Sequence, residues 1–375
     1  MLRIGCKDFY NVLHINNEIG RYVIGGAGTY MNEMYQYRDS NEGFVHIISG
    51  GADIDTEYYP GSKDIFVMSE EEIYKLNQID CRIIVIQFYE FANIITEDLL
   101  KTRKLVYVIH SVPTPEPMPY WDAFGGNDDV RNKFEKLCRM ADILVCVSDA
   151  ERKKLVSIYP EYADKIRVIY NGITYDDNSI VFNRNYRNSR KKYGFIGRTD
   201  YRKGLIECIH AFRDLDAELH IACPKNDTEY VCRILEYIDA ADMRDKVIFH
   251  GWCTGKRKKS FYNMLDALII PSLYEPFGYV ALEAMTEGTP VISSNNGGLD
   301  EILAGYSYKY NPYADNELKE TVKRFMKDDE KFIDEQMDIL ISNLKRFTAK
   351  RMTDDYHRLW RKLNEDSVKE SRGKP

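Results

Sequence analysis

Short apolar runs and amphipathic segments alternate along the whole chain. The runs Val45–Ile48, Ile83–Ile86 and Leu105–Ile109 are rich in β-branched residues and are bounded by polar stretches. Runs of this length predict buried strands of a parallel sheet. The segments Asn132–Met140 and Leu205–Phe212 repeat their apolar residues at helical spacing. Strands that alternate with helices in this way predict an α/β fold built from βαβ units.

The alternation is interrupted between residues 174 and 190. This stretch is polar, rich in Asn and Asp, and lacks helical periodicity, so we interpret residues 174–190 as an interdomain linker. Residues 1–173 then form one predicted domain and residues 191–348 a second. Each half has a glycine-containing turn near its first helix, which predicts two doubly wound, Rossmann-like domains.

The last part of the chain, residues 349–375, is predicted to form a separate helical segment. Apolar residues at helical spacing predict a helix over Ala349–Leu363, and the polar residues Ser367–Pro375 are expected to be a frayed tail.

Composition narrows the class of protein. The net charge of −7 argues against a dedicated nucleic-acid binder, which would need a basic surface. The eight cysteines are scattered without a Cys-x-x-Cys pair, which favours free thiols in a reducing cytoplasm. Neither a signal peptide nor an apolar run of 18 residues is present, so we expect a cytoplasmic protein. Peripheral contact of the protein with the inner face of a membrane is an alternative that the composition leaves open.

The most informative stretch is Glu275–Met285, which reads EPFGYVALEAM. Pro276 disfavours helix at Glu275, and Gly278 permits a turn, so Glu275 should lie on a loop just before a helix. Glu283 should lie about one and a half turns into that helix. The preceding apolar run Ala267–Ser272 reads as a buried strand, whose carboxyl end is where open α/β sheets bind ligands.

The start of this helix is a candidate anion site. The backbone N–H groups of Phe277, Gly278, Tyr279 and Val280 are the donors that a helix leaves unpaired, and such donors bind phosphate. One acid before this site and one after it suit a ligand with hydroxyls on both sides of a diphosphate, as in a nucleotide-sugar. The alternative is that the first acid caps a helix and the second is solvated.

A second candidate anion site follows the strand Tyr193–Ile196. Arg198 and Lys203 straddle the turn between this strand and the next helix, and they offer a planar fork and a movable point charge for phosphate. The alternative is a solvated basic loop. Arg202, between them, is expected to face solvent.

Three further positions in the chain carry candidate chemistry. His110 follows the strand Leu105–Ile109, which places it well for chemistry, and the alternative is a core histidine with a satisfied ring. Gly26 and Gly28 belong to a glycine-rich turn before a helix predicted from Met31, where backbone can approach an anion. Trp252 follows a predicted strand and is either a ligand-lining or a packing side chain.

The stretch EPFGYVALEAM closely resembles the Glu-x7-Glu signature of retaining glycosyltransferases with the GT-B fold, specifically glycosyltransferase family 4. This fold has two Rossmann-like doubly wound domains facing a central cleft, with a last helix that crosses back onto the first domain. The resemblance implies that Glu275 contacts hydroxyls of the donor sugar and that Glu283 holds the ribose hydroxyls. It also implies that Arg198 and Lys203 bind the diphosphate and that His110 contacts the donor sugar.

The resemblance also implies roles for the remaining positions. The catalytic group would comprise His110, Glu275, Arg198 and Lys203. Donor binding would extend to Gly26 and Gly28 beside the diphosphate, to Trp252 at the nucleobase, and to the helix start at Phe277, Gly278, Tyr279 and Val280.

The predicted reaction is therefore transfer of a hexose or N-acetylhexosamine from a nucleotide-sugar to an acceptor hydroxyl with anomeric retention. The resemblance favours a UDP-sugar as donor and surface polysaccharide or glycoconjugate synthesis as the setting. No cofactor and no metal are expected, because no His-x-x-x-His pair is present and the Asp-x-Asp patterns at Asp53 and Asp214 lack the fold context of metal-dependent transferases.

Several alternatives stay open at this point. The acceptor could be a glycan, a glycolipid, a protein or a small natural product. A phosphorylase on the same architecture would need a pyridoxal-phosphate lysine or a second phosphate site, and neither has a clear signature. A carbohydrate-binding protein without catalysis is the third class. The oligomeric state cannot be read from the sequence.

Overall fold

The computed structural model describes residues 1–19, 25–48, 62–113, 128–182, 191–224 and 229–372. These residues divide into two compact units. The first unit holds the described residues up to Thr174 together with those from Ala349 onward, and the second holds the described residues of 175–348. Each unit is built around one sheet.

The sheet of the first unit has eight strands. They are β1 (Leu2–Ile4), β2 (Phe9–Asn16), β3 (Glu42–Ile48), β4 (Ile65–Ser69), β5 (Asp80–Ile86), β6 (Lys104–Ile109), β7 (Ile143–Cys146) and β8 (Ile166–Val168). Their order is β1-β4-β3-β2-β5-β6-β7-β8. Strand β1 runs antiparallel to β4, and the other neighbours are parallel.

Helices and apolar side chains cover this sheet. The helices are α1 (Gly26–Gln36), α2 (Glu97–Leu100), α3 (Asp128–Met140) and α4 (Asp149–Ile158). Strand β3 is buried along its whole length, as expected for a parallel strand covered on both faces. Tyr10, Phe66, Phe134 and Leu137 belong to the main core cluster.

The second unit has a six-stranded, all-parallel sheet in the order β11-β10-β9-β12-β13-β14. Its strands are β9 (Lys191–Ile196), β10 (Ala217–Ala222), β11 (Val247–Phe249), β12 (Ala267–Ile270), β13 (Val291–Ser294) and β14 (Lys309–Tyr310). Its helices are α5 (Leu205–Phe212), α6 (Glu229–Ala240), α7 (Gly255–Asn263), α8 (Tyr279–Thr286), α9 (Gly298–Ile302), α10 (Glu317–Lys327) and α11 (Glu330–Leu344). Counted within the unit, the order is 3-2-1-4-5-6, the Rossmann order.

The chain ends in α12 (Ala349–Arg372), which packs within the first unit. The ring of Tyr356 lies 5.8 Å from that of Tyr30 and 5.4 Å from that of Trp360. The prediction of a frayed tail from Ser367 was wrong for the residues up to Arg372, because these residues continue α12. Neither Gly nor Pro interrupts the helix before Arg372. None of the helices in the described ranges is both long and apolar enough to cross a bilayer.

Two other boundaries differ from the sequence prediction. Helix α1 begins at Gly26 and not near Met31, so both candidate glycines occupy its first turn. The helical pattern predicted from Asn316 to Leu344 is two helices, because Asp328 leaves the helical conformation and the Asp329 side chain caps α11 by accepting the Phe332 N–H.

Candidate functional site

The centre of the second sheet is a topological switch point. Strands β9 and β12 are hydrogen-bonded neighbours, and the chain continues from them toward opposite edges of the sheet. A crevice forms outside the carboxyl ends of two such strands, and ligands bind there. The turn after β9 carries Arg198 and Lys203, and the turn after β12 carries Glu275.

The two turns meet in an ion pair. Lys203 Nζ lies 2.6 Å from Glu275 Oε2, and the Ser272 hydroxyl donates to the same oxygen at 3.3 Å. Burial raises the pKa of Glu275, but the positive charges of Lys203 and Arg202 outweigh it and hold the pKa below its ordinary value. The carboxylate is therefore ionised at neutral pH. Since even a partly buried ion pair is weak support for stability, a functional role explains it better.

The basic residues of the first turn take different positions. Arg198 is the more exposed cation, with its Nη2 3.6 Å from Asp200 Oδ2. Arg202 is buried, so the expectation that it faces solvent was wrong. A 3₁₀ turn over Tyr201–Lys203 directs it inward, and its backbone carbonyl accepts the Leu273 N–H at 2.8 Å. Arg202 thereby adds positive potential behind Glu275.

Helix α8 starts where the sequence predicts, with Gly278 as its N-cap at φ 116°. Glu275 lies on the preceding loop and Glu283 lies inside the helix. The side chains of Phe277 and Tyr279 are buried and pack on each other with ring centroids 5.3 Å apart. Their side chains therefore serve the core, which leaves their backbone as the part that can face a ligand.

Glu283 is held by two side chains from α7. Lys258 Nζ lies 2.5 Å from Glu283 Oε1, and the Tyr262 hydroxyl donates to Oε2 at 2.7 Å. The sequence analysis missed Lys258, because it belongs to a basic run that is typical of a solvated face. It also missed Ser272, whose only signal was its place at the end of a buried strand three residues before Glu275.

A pair of glycines supports the loop that carries Glu275. The Gly298 N–H donates to the Glu275 carbonyl at 2.8 Å. Gly297 has φ 75°, and a Cβ there would lie 2.2 Å from the same carbonyl oxygen. The turn before α9 can approach the Glu275 backbone this closely only because both positions lack a side chain.

Trp252 follows β11 at the edge of the sheet. It is 37% exposed, so it is not a buried packing residue. Its loop contacts α7, since Arg257 Nη2 donates to the His250 carbonyl at 3.0 Å and the His250 ring lies 5.4 Å from that of Phe261. The loop therefore neighbours α7, the helix whose side chains bind Glu283.

The first unit places His110 directly after β6. Its ring lies 5.0 Å from that of Tyr30, on α1, and 6.3 Å from that of Phe88. Burial lowers the pKa of His110 to about 4, so the imidazole is neutral at neutral pH. Its Nε2 is buried and has no hydrogen-bond partner among the described residues. Gly26 and Gly28 lie in the first turn of α1, and Gly28 is buried.

One group in the described part of the chain could hold a cation. Asp39, Glu42 and His357 offer ligand atoms that lie within 4.8 Å of one another. Glu42 is already shared by two histidines, with His357 Nε2 2.9 Å from Oε1 and His14 Nε2 3.1 Å from Oε2. The buried Glu42 carboxylate is thus compensated by its histidine neighbours without a metal ion. Metal independence of the reaction stays a prediction.

Comparisons with known proteins agree with this architecture. The model for glycosyltransferase family 4 matches residues 24–177, and the model for glycosyl transferases group 1 matches residues 176–345. An uncharacterized glycosyltransferase of Methanocaldococcus jannaschii is 37% identical over 174 residues, which is 43% of this chain and 44% of that protein. The chain thus spans less than half the length of this relative.

Two further matches cover most of the chain. An uncharacterized 41.2 kDa protein in the cps region of Klebsiella pneumoniae is 26% identical over 318 residues, covering 78% of this chain and 83% of that protein. The structure of Anabaena HepE in complex with UDP and glucose superposes with a TM-score of 0.76 at 18% identity, covering 93% of this chain and 99% of that one.

The two family models together cover the chain from residue 24 to residue 345, and the structural matches show its fold. The chain has the GT-B fold, which consists of two Rossmann-like domains. It belongs to glycosyltransferase family 4, which confirms the family and the fold predicted from the Glu-x7-Glu stretch.

Proposed function

We propose that this protein transfers a hexose or N-acetylhexosamine from a UDP-sugar to an acceptor hydroxyl, with retention and without a metal. The observation that carries the proposal is the Lys203–Glu275 pair at the switch point of the second sheet. Support for the nucleotide comes from the similarity to HepE, whose structure contains UDP and glucose. No cofactor is required for this chemistry.

Lys203 and Arg198 are the proposed ligands of the diphosphate. An ammonium has three donors, so Lys203 can hold Glu275 and still donate to a phosphate oxygen. Arg198, the more exposed of the two, supplies a planar fork for the same group. Both cations stabilise the negative charge that grows on the leaving diphosphate, which is an electrostatic contribution to the rate.

Glu275 and Glu283 are the proposed acceptors of donor hydroxyls. Glu275 is ionised and oriented by Lys203 and Ser272, so it can accept from hydroxyls of the donor sugar. Glu283 is oriented by Lys258 and Tyr262, and each carboxylate oxygen keeps a lone pair for the ribose. Neutral His110 can exchange a hydrogen bond with the donor sugar.

In the proposed reaction the donor phosphate helps to deprotonate the acceptor on the face where the new bond forms. The bond between the anomeric carbon and the phosphate oxygen breaks as the bond to the acceptor oxygen forms. The acceptor proton passes to the departing phosphate. Glu275 is held by its two partners, so we assign it binding and not nucleophilic attack. A trapped glycosyl adduct on any carboxylate would contradict this mechanism.

The direct experiment is a thermal-shift panel of UDP, GDP and ADP and their sugars, with and without EDTA. We expect a rise in melting temperature with UDP and a UDP-sugar that EDTA does not abolish, because ligands that bind only the folded state stabilise it. A rise with a different base would correct the donor. No shift with any nucleotide would contradict the proposed donor site.

Glu283→Ala is expected to weaken UDP binding by roughly 10- to 100-fold, because a hydrogen-bonding carboxylate is worth about 1.5–3 kcal/mol. Titration calorimetry with UDP measures this. Glu287→Ala is the matched control, since Glu287 ends the same helix and pairs with the exposed side chains of Lys259 at 3.1 Å and Asn263 at 3.2 Å. Equal losses in both variants would argue against a ribose contact.

The proposed setting is the synthesis of a surface polysaccharide or glycoconjugate in the cytoplasm, at or near the inner face of the membrane. The similarity to a protein of the Klebsiella pneumoniae cps region supports this setting. The acceptor would then be a glycan or glycolipid hydroxyl. Transfer to a protein or to a small natural product would be detected by the same donor assay with those acceptors.

A further inference from the structure

Two histidines of the second unit, neither of them among the proposed donor ligands, form a direct contact. His220 belongs to β10, and His250 directly follows β11, the neighbouring strand. The two rings are stacked with centroids 5.1 Å apart, and His220 Nδ1 lies 2.9 Å from His250 Nε2. Ring nitrogens at this distance form a hydrogen bond, so one ring donates and the other accepts.

A carboxylate extends this contact to a series of three side chains, Glu218–His220–His250. His220 Nε2 lies 3.1 Å from Glu218 Oε2, two residues earlier in β10. Because a carboxylate oxygen only accepts, His220 Nε2 carries the hydrogen of that bond. When the His220 ring is neutral, its Nδ1 is therefore the acceptor, and His250 Nε2–H donates to it. His220 is 6% exposed and His250 is half-buried, so the series runs from the interior toward the surface.

His250 begins the loop that carries Trp252, which we define as residues 250–254 between β11 and α7. The His250 N–H donates to the Ile221 carbonyl of β10 at 2.8 Å, and its carbonyl accepts from Arg257 Nη2 at 3.0 Å. The contact with His220 fixes the ring as well. One glycine, at φ 68°, separates His250 from Trp252, which is 37% exposed. The anchored His250 therefore determines the course of the Trp252 loop.

We propose that His220 is a positioning residue for donor binding, which orients the Trp252 loop toward the nucleobase through its hydrogen bond to His250. This inference rests on the proposed function and on the expected contact of Trp252 with the nucleobase. His220 acts through His250 and is assigned no contact with the nucleotide. Its removal should weaken donor binding and leave turnover unchanged, because the nucleobase lies away from the bond that breaks.

The same series predicts a pH dependence of donor binding. When both rings are imidazolium, each of the two facing nitrogens carries a hydrogen and the 2.9 Å contact must open. Burial, His220 and Arg257 lower the pKa of His250, so its ring stays neutral to a lower pH than an ordinary histidine. Glu218 faces His220, and Lys192 of β9 is the register partner of Glu218. The neutral form of His250 is lost as the pH falls through its lowered pKa, and donor affinity should fall with it.

Two substitutions of His220 distinguish a hydrogen bond to His250 from packing alone. In His220→Asn the amide oxygen can take the place of Nδ1 as the acceptor, and it does not titrate. In His220→Leu the acceptor is lost and the His250 donor is left unsatisfied. Calorimetry with UDP at about pH 7.5, where an ordinary histidine is neutral, should show binding about tenfold weaker for His220→Leu. The affinity of His220→Asn should stay within about twofold of wild type.

The kinetics and the pH series give readouts that a loss of stability alone would not produce. The donor KM of His220→Leu should rise about tenfold while turnover at saturating donor stays within about twofold of wild type. Between about pH 7.5 and pH 5 the UDP affinity of the wild type should fall more than that of His220→Asn. The terminal phosphate of UDP also titrates, near about pH 6, but equally for every variant. His210→Asn is the control, because His210 is an exposed histidine of α5, and it should follow the wild type throughout.

The fluorescence of Trp252 reports the position of the loop without a nucleotide. The Trp252 contribution is the difference in iodide quenching between each protein and the same protein that also carries Trp252→Phe. We expect this contribution to change in His220→Leu and to match the wild type in His220→Asn. An unchanged contribution in His220→Leu would overturn the positioning role.

Three further outcomes would also contradict the proposal. Unchanged UDP affinity in His220→Leu, or a fall in turnover without a rise in donor KM, would overturn the role in donor binding. Equal losses of affinity in His220→Leu and His220→Asn would show that the imidazole acts by packing and not by its hydrogen bond. Absence of nucleotide binding in the wild type would instead contradict the proposed function, and the donor role of His220 with it, whatever the quenching of Trp252 shows about the loop.

Discussion

Lys203→Ala should lower turnover by about 10²- to 10³-fold, because it removes a preorganised cation from the leaving diphosphate. The same change leaves Glu275 without the ammonium that lies 2.6 Å from its Oε2. Initial rates at saturating donor, together with UDP affinity by calorimetry, measure the effect. We expect turnover to fall by much more than UDP affinity, since the charge develops in the transition state.

The pH profile of this variant provides a second readout. Lys203 and Arg202 hold the pKa of Glu275 down against burial, which raises it. Without Lys203 the pKa must rise, so the carboxylate is protonated at a higher pH and the acid limb of the profile should shift upward. Lys323→Ala is the control, because Lys323 is an exposed lysine paired within α10. A raised KM with unchanged turnover would show that Lys203 binds the ground state and transition state equally.

Gly204→Ala is expected to destabilise the protein by about 2–5 kcal/mol. Gly204 has φ 65°, which costs an L-residue roughly 1–2 kcal/mol. A Cβ there would also lie 2.0 Å from the Pro271 carbonyl oxygen, so the backbone must move, at a further cost of about 1–3 kcal/mol. Because Gly204 follows Lys203 and Pro271 precedes Ser272, this movement should also separate Lys203 from Glu275 and reduce activity.

Gly251→Ala separates the two contributions. Gly251 has φ 68°, but a Cβ there would have no atom within 4 Å. This variant should therefore show only the conformational cost, and its unfolding midpoint in urea should fall less than that of Gly204→Ala. Equal midpoints would show that the turn after β9 relaxes away from Pro271 without cost, and would contradict the close approach of the two turns.

The sequence by itself determined the features that depend on local pattern. The apolar runs identified strands such as β5, β6 and β12, because a strand buried on both faces must be apolar along its length. Pro276 and Gly278 located the start of α8, since their backbone preferences are intrinsic. The resemblance of Glu275–Met285 to the Glu-x7-Glu signature then predicted both the family and the fold.

Local pattern was less informative where a boundary or an orientation depends on packing. Gly26 and Gly28 read as a turn because glycine is a poor helix former, yet they begin α1. Arg202 read as solvated because an isolated arginine is usually exposed, yet its turn directs it inward behind Glu275.

Only the tertiary structure decided which side chains meet. Lys203 and Glu275 are 72 residues apart, and they form a pair because β9 and β12 are neighbours at the switch point. The order of the strands depends on how helices are buried on both faces of a sheet, and that packing involves segments from the whole chain. A linear pattern therefore identified the chemical groups, and the packing of the sheets decided their partners.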